Sequence, residues 1–408
     1  MIHVCEMITE LAPAGAERMV YELATRLDRS RFTVCVAALR GGVVADQLRR
    51  AGVEVFVLGV SGKWDVLKIR ALANWLRGGP GRAAVDILHT HLFHADLAGR
   101  LAAWLAGTPH IVHSVHVAER RFVPWRRLYG RAFMRRGPVV CVSESVREHH
   151  VRWSGISAGR HVVIENGIDL AAYARDESRG LAFRRRLGVG EGDVLAVWAG
   201  RLCDQKGLDV LLQALPLVAE RLHVPRLVLA IAGQGPWRGM VEEFVRSQAA
   251  DSPVRVELLG FVDDMAGLYS AGDFLVMPSR WEGFGLSAVE AMAAGLPVIA
   301  TDVEGLRDVM GTGRGRDALE TRGQDAHATL SATPGMVIPP ENPAALADAI
   351  VRLAQDATLR QQMSIHARRR AEAFSVERVI NHPRSGWLEE GPPEGACSRP
   401  GRPRWGRC

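Results

Sequence analysis

Residues 278–297 read PSRWEGFGLSAVEAMAAGLP, a glycine-dense loop that runs into a helix and then a strand. WEGFG, 281–285, is too rich in glycine for regular structure, while SAVEAMAA from Ser287 is built of good helix formers. Gly295 stops that helix, and PVIAT, 297–301, opens the next strand. The apolar run DFLVMPS, 273–279, comes before the loop. The unit is therefore strand, glycine loop, helix, strand. In such a unit a ligand lies at the carboxyl end of the strand, against the N–H groups that open the helix. Glu282 sits in the loop and Glu290 eight residues later. Carboxylates accept from hydroxyls and amides donate to phosphate oxygens, so this stretch suits a ligand with hydroxyls at one end and phosphate at the other. Taken alone, it also reads as an ordinary loop–helix junction with a solvated glutamate.

Upstream, DVLAVWAG (193–200) reads as a strand, and GRLCDQKGLDVLLQAL (200–215) as a loop and helix. Arg201 and Lys206 fall in that loop beside Gly200 and Gly207, a grouping that suits a diphosphate, although two surface cations would look the same. RLVLAIAGQG and VRVELLGFV repeat the pattern of strand and glycine turn. The first half alternates likewise: HVCEM, FTVCVAAL, VEVFVL, VDILHT, HIVHSV, PVVCVS and HVVIEN are strands separated by helical spacers. Such alternation predicts an α/β fold with parallel sheets covered by helices on both faces. Asn166–Gly167 is a turn that closes the first series. The chain of 408 residues is long enough for two domains. We divide it into a first domain at 1–173, a linker region at 174–190, a second domain at 191–378 and a disordered tail at 379–408, with a flexible insertion over 311–334.

Composition narrows the function. The six cysteines are scattered without close pairs, which fits reduced thiols and not a disulfide frame or zinc site. No run is long enough to span a membrane, and MIHVCEMITE lacks the features of a signal peptide, so the expected location is cytoplasmic. Residues 1–180 carry 25 Lys and Arg against 17 Asp and Glu, net +8, whereas the remainder carries 26 against 28, net −2. The segment ERRFVPWRRLYGRAFMRR, 119–136, has seven arginines and one glutamate, with Phe122, Trp125 and Phe133 among them. It reads as a basic amphipathic surface able to rest peripherally on anionic lipid at the inner membrane face, or as a solvated Arg-rich helix. No nucleic-acid recognition motif accompanies the charge, so no nucleic-acid partner is expected.

Gly15, in LAPAGAERMV, opens a helix where a phosphate or second substrate could come close; it also reads as a simple turn glycine. His113 and His116 end the strand HIVHSVH, at the edge where ligands bind in a parallel sheet; each also reads as a half-buried, satisfied histidine. In LHTHLFHAD, His89, His91, His94 and Asp96 loosely resemble a zinc signature, but a leucine stands where the aspartate should be. We read them as strand-end and helix-cap residues and expect no metal.

Together these pieces resemble the retaining nucleotide-sugar glycosyltransferases of family 4. The likeness covers residues 1 to about 378 and includes, in order, AGAE, HSVH, CVSESV, VIENGID, AGRLCDQKGLDVLLQAL, IAGQG, LLGFVDD and PSRWEGFGLSAVEAMAAGLPVIAT. Glu282 and Glu290 match the family's EX7E signature. The resemblance implies two Rossmann-like domains whose parallel sheets face an interdomain cleft, the glycosyltransferase B fold. The first domain would take a glycan or polyprenyl-lipid-linked acceptor, and the second a nucleotide-diphosphate sugar as co-substrate, with no cofactor. Carried over by position, Arg201 and Lys206 match the diphosphate cations and Glu290 the residue for the ribose hydroxyls. Glu282 matches the acid near the transferred sugar, with the backbone of Gly283, Phe284 and Gly285 against that sugar. Amides near Leu286 and Ser287 complete the phosphate site. His116, ahead of His113, matches the histidine that reaches the donor sugar, and Gly15 the glycine loop near the phosphates. His116, Glu282, Arg201 and Lys206 are thus the expected catalytic set.

Three departures stand out. The first loop has Pro13–Ala14–Gly15 where many members have two glycines; EGLRD follows the EX7E helix in place of GGxPE; and FSVERVI gives way to a Pro- and Gly-rich tail from His382. The last leaves a catalytically impaired sugar-nucleotide-binding protein as the alternative. A sugar-nucleotide epimerase is disfavoured by the glutamate pair and the Arg/Lys loop. The donor sugar, nucleotide base and acceptor do not follow from the sequence.

Overall fold

The computed structural model describes residues 1–60, 66–117, 128–130, 132, 134, 137–249, 251–312 and 332–380. Most of the basic segment 119–136, most of the 311–334 insertion and all of the tail beyond 380 lie outside the described residues.

Two parallel sheets carry the fold. The first contains β1 (Ile2–Glu10), β2 (Phe32–Arg40), β3 (Glu54–Val57), β4 (Ile87–His91), β5 (His110–Val115), β6 (Val139–Cys141) and β7 (His161–Val163). Their order is β3-β2-β1-β4-β5-β6-β7. The second contains β8 (Val194–Ala199), β9 (Leu227–Ala232), β10 (Val254–Gly260), β11 (Phe274–Met277), β12 (Val298–Thr301) and β13 (Gly335–Ile338), in the order β10-β9-β8-β11-β12-β13. Helices connect the strands and cover both faces, so a central strand needs apolar side chains on both sides. The runs VLAVWA in β8 and LVLAIA in β9 are buried at every position.

Strand order reverses between β1 and β4 in the first sheet and between β8 and β11 in the second. The crevice at such a reversal is where α/β sheets bind ligands, because loops leaving adjacent strands diverge there. The loops after β8 and β11 are the 201–206 and 278–285 segments. One apolar cluster bridges the sheets: Val139, Cys141 and Val142 pack in the same core as Leu275, Met277, Phe284 and Leu306.

The segment 174–190 contains helix Glu177–Arg186, which packs on helix Met265–Ala271, where a Cβ on Gly267 would stand 2.7 Å from the Phe183 ring. The chain then recrosses near its end. Ile168 N–H donates to Phe374 O at 2.9 Å, and Val376 N–H donates to Ile168 O at 2.9 Å. Helix Val376–Ile380 then lies beside helix Gly15–Arg26, where Arg26 reaches Glu377 at 3.6 Å. The phrase FSVERVI thus touches the first sheet's helices before the chain enters its Pro- and Gly-rich stretch. Cys5, Cys35, Cys141 and Cys203 are free thiols. Among the described residues, no helix is long and apolar enough to cross a membrane.

Candidate active site

The two loops of the second sheet are fastened to each other. Gln205 Nε2–H donates to Trp281 O at 3.1 Å, and Arg280 N–H donates to Gln205 O at 2.8 Å. The Arg280 guanidinium grips Asp209 with bonds of 2.8 and 2.7 Å. This framework sets Lys206 Nζ against Glu282 Oε1 as an ion pair, and Ser279 Oγ–H donates to the same oxygen at 2.8 Å. Glu282 is buried, whereas Arg201 lies exposed on the rim. Across the gap, the Arg201 charge acts on Glu17 in helix Gly15–Arg26; burial still raises the Glu17 carboxyl to about 7.

Gly285 has φ +98°, a left-handed conformation that turns the loop into helix Leu286–Ala293. Helical bonding begins when Ala288 N–H donates to Gly285 O at 2.9 Å, so the amides of Leu286 and Ser287 come before the helix's own ladder. Glu290 lies one turn further on. Its Oε1 accepts from the Tyr173 hydroxyl at 3.0 Å and its Oε2 from the Tyr269 hydroxyl at 3.1 Å. Burial raises the Glu290 carboxyl, against the two tyrosines and the Arg18 charge, which lower it.

The first sheet meets this loop directly. A Cβ on Gly283 would stand 1.7 Å from His116 O, so only glycine permits the approach. Ser143 Oγ–H donates to Gly283 O at 3.0 Å while capping helix Glu144–Ser154. Gly15 abuts Leu286: a Cβ on Gly15 would stand 3.3 Å from Leu286 Cδ1. The structure therefore brings together Gly15, His116, Lys206, Glu282, Gly283, Phe284, Gly285, Leu286, Ser287 and Glu290, with Arg201 at the edge.

The histidines separate by strand period. Glu6, His89, His91, Ser114 and His116 share one face of the first sheet, and Thr90 and His113 share the other. His113 is held by Thr90 Oγ1 at 3.0 Å and by Asp96, away from His116. Asp96 is itself held by Arg100 and the Tyr129 hydroxyl, both at 2.9 Å. His94 and Asp96 thus do not join His89 and His91. Glu6 does: its Oε2 lies 2.9 Å from His89 Nδ1 and 2.7 Å from His91 Nε2. These three ligand-type atoms fall within 4.8 Å of one another, but both rings are hydrogen-bonded to Glu6. Burial alone would raise the Glu6 carboxyl; the two rings outweigh it and hold it at about 2.

Residues 13–172 match the family Glycosyltransferase Family 4, and residues 193–356 the family Glycosyl transferases group 1. A D-inositol 3-phosphate glycosyltransferase of Jonesia denitrificans is 30% identical over 310 residues, 71% of this chain and 68% of that protein. The chain belongs to the family 4 glycosyltransferases. Another relative of this glycosyltransferase is the UDP-Gal:alpha-D-GlcNAc-diphosphoundecaprenol alpha-1,3-galactosyltransferase of Escherichia coli, 26% identical over 72% of this chain and 77% of its own. In fold it is similar to Anabaena HepE, solved in complex with UDP and glucose, with a TM-score of 0.77 and 20% identity over 96% of this chain and all of that one. The two parallel sheets of this transferase are the glycosyltransferase B fold.

Several residues of the candidate site had no signal in the sequence. Tyr173, Tyr269 and Ser143 look like core or cap residues until the loops they touch are placed. Glu6 lies in an apolar strand, and its one distinguishing mark is a charge where the pattern calls for a hydrophobe.

Proposed function

We propose that this glycosyltransferase moves a hexose from a nucleotide-diphosphate sugar to a glycan or lipid-linked acceptor hydroxyl with retention of anomeric configuration, in the synthesis of a cell-surface glycan. The reading rests on the convergence of the Lys206–Glu282 pair, the opening amides of helix Leu286–Ala293 and Glu290 at the reversal between β8 and β11. Arg201, Lys206 and the amides of Leu286 and Ser287 receive the diphosphate, and Glu290 the ribose. Glu282 and the 283–285 backbone take the sugar, with His116 on its other side and Gly15 near the phosphates.

As the bond from C1 to the phosphate oxygen breaks, its electron pair goes to that oxygen. Lys206, Arg201 and the helix start stabilise the growing charge where it develops. The Glu282 carboxylate stabilises the positive character at C1. The acceptor oxygen bonds to C1 on the face the phosphate leaves, and its proton passes to the departing phosphate oxygen. With two cations and a helix terminus facing the phosphates, no divalent ion is required.

The test is transfer and donor hydrolysis with uridine-, guanosine- and adenosine-diphosphate sugars, with and without a chelator. We expect one donor class to turn over in both conditions and an α-linked donor to yield an α-linked product. A β-linked product would refute retention, and dependence on an added divalent ion would refute the metal-free reading.

A further inference from the structure

Behind His116 runs a chain of side chains that the transfer chemistry does not use. On one face of the first sheet, Glu6 Oε2 lies 2.7 Å from His91 Nε2, and His91 Nδ1 lies 2.9 Å from His116 Nε2. All three residues are buried, with His116 8% exposed and His91 and Glu6 1% each. His116 Nδ1 is buried and has no hydrogen-bond partner among the described residues.

The direction of each bond follows from the chemistry of the groups. An ionised carboxylate only accepts, so the nitrogen facing Glu6 must carry the proton: His91 Nε2–H donates. Glu6 is also reached by His89 Nδ1 at 2.9 Å, which fixes a second donor on the same oxygen and reinforces its charge. Burial disfavours an imidazolium, so His91 is neutral and its Nδ1 is a bare acceptor. The nitrogen opposite it, His116 Nε2, must then donate. A neutral His116 with its proton on Nε2 presents an unshared pair at Nδ1.

We propose that Glu6 and His91 are positioning residues that hold His116 as its Nε2–H tautomer, so that Nδ1 accepts a hydrogen bond from a hydroxyl of the donor sugar. This inference rests on the reading that places His116 beside that sugar. It makes the sugar subsite selective for a hydroxyl donor at one position. A sugar with hydrogen or fluorine there leaves Nδ1 buried and unpaired, an outcome that rejects analogues more strongly than added contacts attract them.

The tautomer can be read without any ligand. In the full chain labelled with 15N at imidazole nitrogens, the His116 signals, assigned by their loss in His116→Gln, should show a protonated Nε2 and an unprotonated Nδ1. Glu6→Gln removes the acceptor-only group, so His116 should then populate both tautomers, and Glu6→Asp should restore the first. For whichever uridine-, guanosine- or adenosine-diphosphate sugar the wild type binds, Glu6→Gln should raise KM by roughly threefold to tenfold, the effect of one neutral hydrogen bond. Affinity for the matching nucleoside diphosphate, which lacks the transferred sugar, should stay within about twofold, since the Glu6–His91–His116 series acts on that sugar alone. A proton on Nδ1 in the wild type, or equal losses for sugar nucleotide and diphosphate in Glu6→Gln, would overturn the proposal. A metal ion copurifying in stoichiometric amount and lost in Glu6→Gln would do so too, because ligation would occupy the nitrogens assigned to hydrogen bonds. Should no sugar nucleotide bind the wild type at all, the donor reading falls, while the NMR signals still decide the tautomer.

Discussion

Lys206 stands between two anions: Glu282, which it contacts, and the diphosphate oxygens assigned to it. Arg201 makes no comparable contact among the described residues and sits on the rim, where its charge reaches the buried Glu17 across the gap. The bound diphosphate is already anionic and gains further charge as the sugar–phosphate bond breaks, so both cations hold it more tightly in the transition state and removing either should lower kcat more than it raises KM. Lys206→Ala and Arg201→Ala should each cut turnover by about a hundredfold, as loss of an oxyanion donor does. Steady-state rates near normal in both variants would contradict the assigned phosphate site. These two residues, with Glu282 and Glu290, were legible in the sequence because each lies within a few positions of a strand end or helix start. Tyr173, which donates to Glu290, and Ser143, which donates to Gly283, were not: they arrive from 117 and 140 positions away. Only the folded chain juxtaposes them.

At the scale of elements, the helix Gly15–Arg26 brings a carboxylate to the cleft in its first turn. Burial raises the Glu17 carboxyl from its ordinary 4.5 to about 7, so the folded protein takes up its proton more readily than the unfolded chain does. A raised folded-state value contributes stability that is complete below 4.5 and lost as pH rises through about 7. Glu17→Gln removes that loss. It should raise the melting temperature at pH 8 by roughly 1–2 °C, the shift that about 1 kcal/mol produces in a chain this long, and leave it nearly unchanged at pH 5. An equal effect at both pH values would show that Glu17 is not buried as a carboxylate. The parallel sheets were readable from strand–helix alternation, since a βαβ crossover leaves its period in the sequence. Register was not. Glu6 pairs with His89 across 83 positions, and it is this pairing that assembles the Glu6–His91–His116 series and sends His113 to the opposite face.

Across the whole molecule, the returning segment 374–380 supports the 278–285 loop. Phe374 is fully buried, with its ring edge-on to Phe284 at 5.4 Å and the Arg370 guanidinium 4.8 Å over it. Phe374→Ala should destabilise the protein by roughly 3–5 kcal/mol and weaken sugar-nucleotide binding, because Phe284 loses its backing. Denaturation midpoints would measure the first effect and calorimetric titration the second; an unchanged midpoint would mean the returning segment is not part of the folded unit. The clip between Ile168 and the 374–376 backbone has a mechanical consequence. Two stretches of polypeptide pass between the halves at one place, and being tied together they bend as a single pivot. Any parting of the halves is then a swing about that pivot. Travel is smallest at Ile168 and grows with distance from it, so Gly283 and the His116 carbonyl it touches would separate in the same stroke that opens the site proposed for the sugar nucleotide.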